Sequence, residues 1–259
     1  MKVTVLSENT SECGLATEHG LSLYIETRKH RILFDFGHSA VFAENAVKLG
    51  IDLSTVDIAF LSHGHNDHST GMETFLDLNK HANIYMHEQV FEPHYNGNNE
   101  YIGMDETMDG HPRLIKVRED ITIDPEISFV TLKKPRKAAD TFGQKVKRGK
   151  YMEKETYDHE MYLQIREWYK TYIFSGCTHK GIVNLIYGKS FDCFVGGLHT
   201  MKYDVLWDEE LLLEVSRALK DSGAEFYTCH CTGKEQYLFL KDNVGPRLHS
   251  ISAGVTIEI

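Results

Sequence analysis

The stretch AFLSHGHNDHSTG, at residues 59–71, constrains the fold most strongly. It places His63, His65, Asp67 and His68 within six positions, after an apolar run that predicts a β-strand and before a turn and a helix. Because alternate residues of an extended chain point to the same side, His63 and His65 can converge on one point. Asp67 and His68 lie beyond the bend and reach a neighbouring point. The pattern therefore predicts a loop at a strand end whose side chains act together.

The residue types in this loop indicate a metal site. Imidazole and carboxylate groups are the ligands that borderline cations such as zinc prefer in proteins. A histidine-rich surface turn is the alternative interpretation. Four ligand-type side chains at this spacing form a far more specific pattern than a lone histidine does. We therefore expect a transition-metal site at this loop.

Length and composition limit the class of protein. A chain of 259 residues with 41% hydrophobic content can bury a large core, and we expect a single domain over residues 1–259. It has no apolar run of the roughly 18 residues that span a membrane and no signal-like leader, which predicts a soluble, cytoplasmic protein with no membrane partner. Five cysteines do not suggest a disulfide framework. A net charge of -10 argues against general affinity for nucleic acid.

Strand-like and helix-like runs alternate in both halves of the chain, which predicts an α/β fold of two sheets covered on the outside by helices. The strand-like runs are VTVLS, LSLYIET, RILFDFG and IAFLSH in the first half, and MYLQIRE, TYIFSG, FDCFVGG, EFYTCH and VTIEI in the second. The clearest helical runs are SAVFAENAVKLG, STGMETFLDLNKH and DEELLLEVSRALKDSG.

A basic segment interrupts the acidic chain at residues 133–150, where eight Lys or Arg accompany a single Asp. It contains proline and glycine and lacks an apolar period, so we expect a long loop or insertion at about 133–157 and no core element. A solvated charged loop is one interpretation. A lid that attracts an anionic substrate is the other, with Lys145, Lys147 and Arg148 as candidate substrate-binding residues.

The H-x-H-x-D-H pattern after an apolar strand resembles the signature of the metallo-β-lactamase superfamily. Further segments resemble the branch named after a 7,8-dihydropterin-6-methyl-4-(β-D-ribofuranosyl)aminobenzene-5'-phosphate synthase. Those segments are TEHGLSLYIET, LFDFGHSAVFAENAVKLGID, LSHGHNDHSTG, FSGCTHKGIVNLI, GGLHT and TCHCTG. The resemblance implies a four-layer αββα sandwich with a metal site at one edge, where loops from both sheets meet.

The resemblance also implies the ligands of a first ion. Asp35, in RILFDFG, is expected beside the ligands, where it orients a metal-bound histidine. His179 is expected to join His63 and His65 on this ion. His159, in YDHEMY, is the competing candidate.

A second ion is expected on Asp67, His68 and His230. The flanking Cys229 and Cys231 should point away from His230 if the strand is extended. Cys177 stands where many members of the superfamily have a bridging aspartate, and both metal ligation and a small buried thiol remain open for it. The expected cofactor is zinc, one or two ions per chain, with iron or manganese as the alternatives.

His199 lies at a strand end resembling that of a catalytic histidine in tRNA-processing members of the superfamily. A proton donor to the leaving group is its most useful role, and a structural histidine is the alternative. Histidines outside these motifs, His94 among them, are expected on the surface or in packing.

These expectations together predict a metal-dependent hydrolase that acts on a small anionic metabolite, phosphate-bearing or pterin-like, through a metal-activated water, with Asp67 orienting the nucleophile. An RNA-processing nuclease is the alternative within the same chemistry. A di-iron redox protein and a non-catalytic protein that binds a metal or a metabolite are the alternatives outside it. The sequence leaves a homodimer open.

Overall fold

The structure is a computed structural model that describes all residues from Met1 to Ile259. Its strands, numbered in chain order, are β1 (Lys2–Ser7), β2 (Ser22–Glu26), β3 (Arg31–Phe34), β4 (Ile58–Phe60), β5 (Asn83–His87), β6 (His94–Tyr95), β7 (Leu114–Val117), β8 (Ile121–Thr122), β9 (Ile127–Val130), β10 (Lys145–Arg148), β11 (Tyr151–Lys154), β12 (Tyr162–Glu167), β13 (Lys170–Ser175), β14 (Cys193–Gly196), β15 (Glu225–Thr228), β16 (Leu248–Ser250) and β17 (Thr256–Glu258). The α-helices are α1 (Val41–Lys48), α2 (Asn66–Ser69), α3 (Met72–Leu78), α4 (Ile182–Gly188), α5 (Glu209–Ser222) and α6 (Lys234–Val244). None of the helices has the length and apolar character that a transmembrane segment requires.

The chain divides into two compact units. Unit 1 comprises residues 1–120, 143–161 and 252–259, and unit 2 comprises residues 121–142 and 162–251. Each unit contains its own seven-stranded mixed sheet. The predicted mixed α/β class is confirmed.

The large sheet of unit 1 has the strand order β17-β1-β2-β3-β4-β5-β7. Neighbouring strands from β17 to β3 are antiparallel, whereas those from β3 to β7 are parallel. A cluster of buried side chains packs this unit, and Phe36, Phe42 and Phe75 are among its fully buried members. The parallel half matters for function, because the carboxyl ends of parallel strands meet at one edge of a sheet.

Unit 1 also contains a three-stranded antiparallel sheet in the order β11-β10-β6. β10 and β11 form a hairpin that begins in the basic segment and ends at Lys154, so the expectation of a loop without core contacts is wrong for residues 145–148. Val146 explains the difference, because its side chain is fully buried while the neighbouring Lys147 is exposed. One apolar residue in a four-residue strand is too weak a period to be recognised in the sequence.

The sheet of unit 2 has the strand order β16-β15-β14-β13-β12-β9-β8. The strands from β13 to β16 are parallel to their neighbours, and those from β8 to β13 are antiparallel. Phe194, Phe226 and Leu240 lie in its buried apolar cluster. Both units thus share one plan, an antiparallel half joined to a parallel half.

Residues at the two ends of α5 determine where this helix begins and ends, as its sequence predicts. α5 has Glu209 and Glu210 in its first turn, and Gly223 after its last residue adopts a left-handed φ of 75°. Acidic residues at the start and a left-handed glycine at the end are the expected boundaries of a helix. By contrast, β15 ends at Thr228 and a 3-10 helix begins at His230, so the predicted strand EFYTCH is shorter than expected.

Candidate functional site

The histidine loop of unit 1 follows the parallel strands at their carboxyl ends. Asp35 comes directly after β3, and His63 comes three residues after the end of β4. Asp35 has a φ of 58°, which is a left-handed conformation that residues other than glycine seldom adopt. Such backbone strain is characteristic of functional sites, where surrounding structure holds it in place.

Asp35 is the centre of a buried hydrogen-bond network. Its Oδ1 accepts from the Ser62 amide at 2.7 Å, and its Oδ2 accepts from the Ser62 hydroxyl at 2.7 Å. The same Oδ2 lies 2.7 Å from Nδ1 of His68. All three side chains are fully buried. One carboxylate therefore fixes both the loop backbone and a histidine.

This network also sets which ring nitrogens carry protons. The Ser62 hydroxyl has a single proton, which it donates to Asp35, so its contact with Nδ1 of His63 at 2.8 Å is accepted from the ring. Nδ1 of His68 likewise donates to Asp35. In the neutral rings, Nε2 of both histidines therefore holds an unshared electron pair. That is the form in which imidazole binds a metal.

Gly64 separates the two histidines of the H-x-H pattern because no side chain fits there. A Cβ atom at this position would lie 2.2 Å from the carbonyl oxygen of Val90. The imidazole rings of His63 and His65 lie with their centroids 4.7 Å apart on either side of it. The glycine thus permits the tight turn that brings both rings together.

His65 is held in the neutral form. Burial and the neighbouring His94 lower its pKa to about 3. A ring with this pKa carries no charge at neutral pH, which is the state that a metal ligand requires.

Asp67 completes the motif at the start of α2. Its Oδ2 lies 3.6 Å from Nε2 of His68 and 3.4 Å from Nε2 of His19. An unprotonated ring nitrogen beside a carboxylate oxygen places two electron-pair donors side by side. These two donors repel each other, whereas a cation bound between them would accept an electron pair from each.

Unit 1 contains three further buried groups near the motif: His94, Glu155 and His159. His94 and Glu155 were not predicted as site residues, and of the two places expected for His94, the surface or the packed interior, the structure shows the interior. Sixty-one positions separate the two, so no local spacing could have revealed their hydrogen bond.

In unit 2, three consecutive parallel strands each end in a strained turn. Thr178, His199 and His230 follow β13, β14 and β15, and their φ angles are 58°, 55° and 50°. Like Asp35 in unit 1, these three residues other than glycine have a left-handed backbone, and such strain at one edge of a sheet indicates a functional site. This edge carries the candidate residues of unit 2.

The thiol groups at this edge are close together. The ligand atoms of Cys177, His199 and Cys231 lie within 4.8 Å of one another, and the Cys231 thiol donates to the backbone oxygen of Cys177 at 3.4 Å. A Cβ atom at Gly197 would lie 2.3 Å from the Cys231 sulfur, so this glycine provides the space that the thiol occupies. Burial alone would raise the pKa of Cys231, but contacts with Cys177, His199 and His230 together outweigh burial and hold that pKa well below its usual value.

His179 and His199 contact each other directly. Nδ1 of His179 lies 3.3 Å from Nε2 of His199, and their ring centroids are 4.2 Å apart. One ring donates and the other accepts, so the two side chains share a proton between defined atoms. His230 is buried on the neighbouring turn, where it begins a short 3-10 helix.

The structure thus groups the predicted residues in two sets. His63, His65, Asp67 and His68 lie with Asp35 in unit 1. The second set, in unit 2, comprises Cys177, His179, His199 and His230.

The three basic candidates lie on β10 in unit 1. Arg148 pairs with Glu92 at 3.1 Å, and the hydrogen bonds that it donates to the Glu92 carboxylate raise the pKa of Arg148. Nζ of Lys145 donates to Asn99 at 2.8 Å, whereas Lys147 is exposed. Arg148 therefore already has a carboxylate partner.

A sequence model of the family described as "Metallo-beta-lactamase superfamily" matches residues 16–209. An uncharacterized protein of Methanocaldococcus jannaschii is 29% identical over 245 residues, which cover 89% of this chain and 90% of that protein. A 7,8-dihydropterin-6-methyl-4-(beta-D-ribofuranosyl)-aminobenzene-5'-phosphate synthase of the same organism is 28% identical over 259 residues, with coverage of 87% and 85%.

Among solved structures, a metal-dependent hydrolase of the beta-lactamase superfamily superposes with a TM-score of 0.84 at 26% identity. The alignment covers 100% of this chain and 99% of that structure. The resemblance inferred from the motifs is confirmed by these matches, and so is the predicted fold class.

Proposed function

We propose that this chain, which belongs to the metallo-beta-lactamase superfamily, is a metal-dependent hydrolase acting on a small anionic metabolite. The observation that carries the proposal is the buried Asp35 network. Asp35 accepts a hydrogen bond from Nδ1 of His68 directly and fixes the Nδ1 proton of His63 through Ser62. Two histidines of the motif are thereby held as unprotonated Nε2 donors, which a purely structural cluster would not need.

The residues fit a divalent metal centre by their chemistry. Nitrogen, carboxylate and thiol donors are the set that zinc prefers, and we propose zinc, with iron and manganese as alternatives. His63, His65 and His179 would hold one ion. Asp67, His68 and His230 would hold a second, with Cys177 as a further candidate ligand.

A bound cation of this kind lowers the pKa of a coordinated water toward neutrality and polarises the group to be cleaved. The protein residues act around that chemistry. Asp35 fixes the orientation of two rings, and the Asp67 carboxylate can orient the nucleophile. His199, which already shares a proton with His179, can donate a proton to the leaving group.

The proposed substrate class is a small anionic compound, phosphate-bearing or pterin-like. The compound in the name of one relative combines a dihydropterin with a 5'-phosphate, which supports this class. That relative is named a synthase, so a reaction that forms a bond is the main alternative to hydrolysis at the proposed site. An RNA substrate has less support, because the chain carries a net charge of -10 and the Arg148 cation is already paired.

A direct test compares three forms of the purified protein: as isolated, stripped with a chelator, and reloaded with Zn²⁺. Hydrolysis of p-nitrophenyl phosphate and bis(p-nitrophenyl) phosphate is followed in each form, with single-stranded RNA as a parallel substrate. We expect phosphoester cleavage that disappears on stripping and returns on reloading. Cleavage of RNA alone would favour the nuclease, and absence of hydrolysis in a fully metallated protein would contradict the proposal.

A further inference from the structure

A compact group of three imidazoles lies in unit 1 beside the H-x-H-x-D-H motif. The ligand atoms of His65, His94 and His159 lie within 4.8 Å of one another, and all three residues are buried. The ring centroid of His94 lies 4.0 Å from that of His159 and 5.6 Å from that of His65. Only His65 belongs to the motif, so the function of the other two must be derived from their contacts.

His94 is held by a buried carboxylate. Its Nδ1 lies 2.7 Å from Oε2 of Glu155, and these side chains are 0% and 1% exposed. The other carboxylate oxygen of Glu155 accepts from the amides of Thr156 and Tyr157, each at 2.9 Å. Both carboxylate oxygens of Glu155 thus accept hydrogen bonds, one from two backbone amides and the other from the His94 ring. This geometry fixes the His94 proton on Nδ1.

The proton on Nδ1 of His94 determines the state of the other ring nitrogen, Nε2. Nε2 of His94 is completely buried and has no hydrogen-bond partner. With Nδ1 donating to Glu155, Nε2 of the neutral ring holds an unshared electron pair. A buried acceptor without a partner destabilises the folded protein, so an arrangement that creates one calls for a function.

The basic hairpin is built to maintain this arrangement. His94 lies on β6 opposite Val146 of β10, and the Lys147 amide donates to the Pro93 carbonyl at 2.9 Å. Glu155 follows directly after β11, and its amide donates to the Gln144 carbonyl at 3.1 Å. One three-stranded sheet therefore carries the histidine and delivers the carboxylate that orients it.

We infer that His94 is a metal ligand, which binds a divalent transition-metal ion through Nε2 together with His65. A carboxylate that holds one nitrogen of a histidine while the other faces a metal is a common arrangement around bound metals. Imidazole donors favour Zn²⁺, Cu²⁺, Ni²⁺ or Fe²⁺ over Mg²⁺ or Ca²⁺. The inference rests on the proposed function through His65, and it adds His94 and Glu155 to that centre.

His159 is less well prepared to bind the same ion. The Gly64 amide donates to its Nδ1 at 2.9 Å, so the neutral ring carries its proton on Nε2. A cation at that nitrogen would have to displace the proton, whereas His94 offers Nε2 without any change in protonation. Of the two histidines outside the motif, His94 is therefore the ligand and His159 is its neighbour.

The test is the affinity of the full-length protein for Co²⁺ and Zn²⁺, measured by calorimetry and by the visible spectrum of the Co²⁺ form. His94→Gln should lower the metal affinity of the tighter site, to which His65 belongs, by roughly 10-fold or more and should change the Co²⁺ spectrum. Glu155→Gln should weaken it by roughly 10–100-fold, the range expected when a partner of a metal ligand is lost. His87→Gln is the matched control, since His87 is also buried in unit 1 but has both ring nitrogens bonded to backbone groups.

The outcomes separate the inference from the proposed function. A wild-type protein that binds no transition metal would overturn both. Metal binding by the wild type, with affinity and spectrum unchanged in folded His94→Gln or Glu155→Gln, would overturn the inference alone. Circular dichroism identifies the folded variants, and Glu155→Gln decides the result if His94→Gln does not fold.

Discussion

Nδ1 of His68 lies 2.7 Å from Oδ2 of Asp35, and both side chains are fully buried. The same oxygen accepts from Ser62, which in turn accepts from His63. A single carboxylate is therefore responsible for the orientation of two of the three motif histidines.

Asp35→Asn should disrupt both histidines while keeping the shape of the side chain. An amide nitrogen accepts no hydrogen bond, so whichever carboxylate oxygen it replaces, at least one buried donor of Ser62 or His68 loses its partner, at a cost of about 1–3 kcal/mol in the free energy of unfolding. Metal affinity should fall by roughly 10–100-fold. Calorimetric metal titration checks this, with Asp57→Asn as control because Asp57 pairs with His30 away from the motif and is partly exposed. Equal metal affinity in wild type and Asp35→Asn would contradict the assigned function of Asp35.

His199→Ala should lower kcat by roughly 10²-fold or more, because a general acid would be lost. Metal content should stay nearly intact, and the limb of the pH–rate profile that reports the acid should disappear. His249→Ala is the control, since His249 is a partly exposed histidine of the same unit, paired with Glu225. Loss of metal from His199→Ala would instead identify His199 as a ligand.

Neutralising Lys145, Lys147 and Arg148 together, each to Gln, should raise KM for an anionic substrate, with little change in kcat or metal content. The increase should be greater at low ionic strength, where the attraction of these cations is least screened. The pairing of Arg148 with Glu92 adds a second expectation, a lower melting temperature. Kinetics across salt concentrations, compared with a variant neutralised at Lys133, Lys134 and Lys150, measure the difference. A KM of the triple variant equal to that of the wild type at every salt concentration would contradict substrate binding by these residues and would show that β10 has a structural function only.

Cys193 should make the protein sensitive to alkaline pH. Burial raises the pKa of this thiol from its usual range to about 12. Because its folded-state pKa is raised, its contribution to stability is fully present below pH 9 and is lost as the pH rises toward 12. Urea unfolding between pH 8 and 11 should show a steeper loss of stability in wild type than in Cys193→Ala. Cys13→Ala, at an exposed thiol, should behave as wild type does. Identical slopes in wild type and Cys193→Ala would contradict the effect of burial on Cys193.

The sequence predicted the elements whose signal is local. The apolar runs that became β1 to β4 and β12 to β15 have clear boundaries, and α5 ends at Gly223 as its sequence indicates. The motif around His63 was recognisable because its ligands are consecutive in the chain. Such features depend on neighbouring residues alone.

Features that depend on distant contacts were not predictable. The pairing of His94 with Glu155 joins residues 61 positions apart, through a sheet whose central strand has a single apolar residue. Similarly, the left-handed backbone at His230 depends on the turn after β15, which an alternating pattern cannot reveal. In both cases tertiary structure overrides the local signal.

Metal content tests the central claim most directly. If His63, His65 and His179 hold one ion and Asp67, His68 and His230 hold another, then wild-type protein should bind up to two transition-metal ions per chain, with the second site weaker. His63→Ala and His230→Ala should each lose bound metal, measured by elemental analysis after equilibration with Zn²⁺, and the double variant should lose more than either. Full metal content in both single variants would contradict the proposed metal centre.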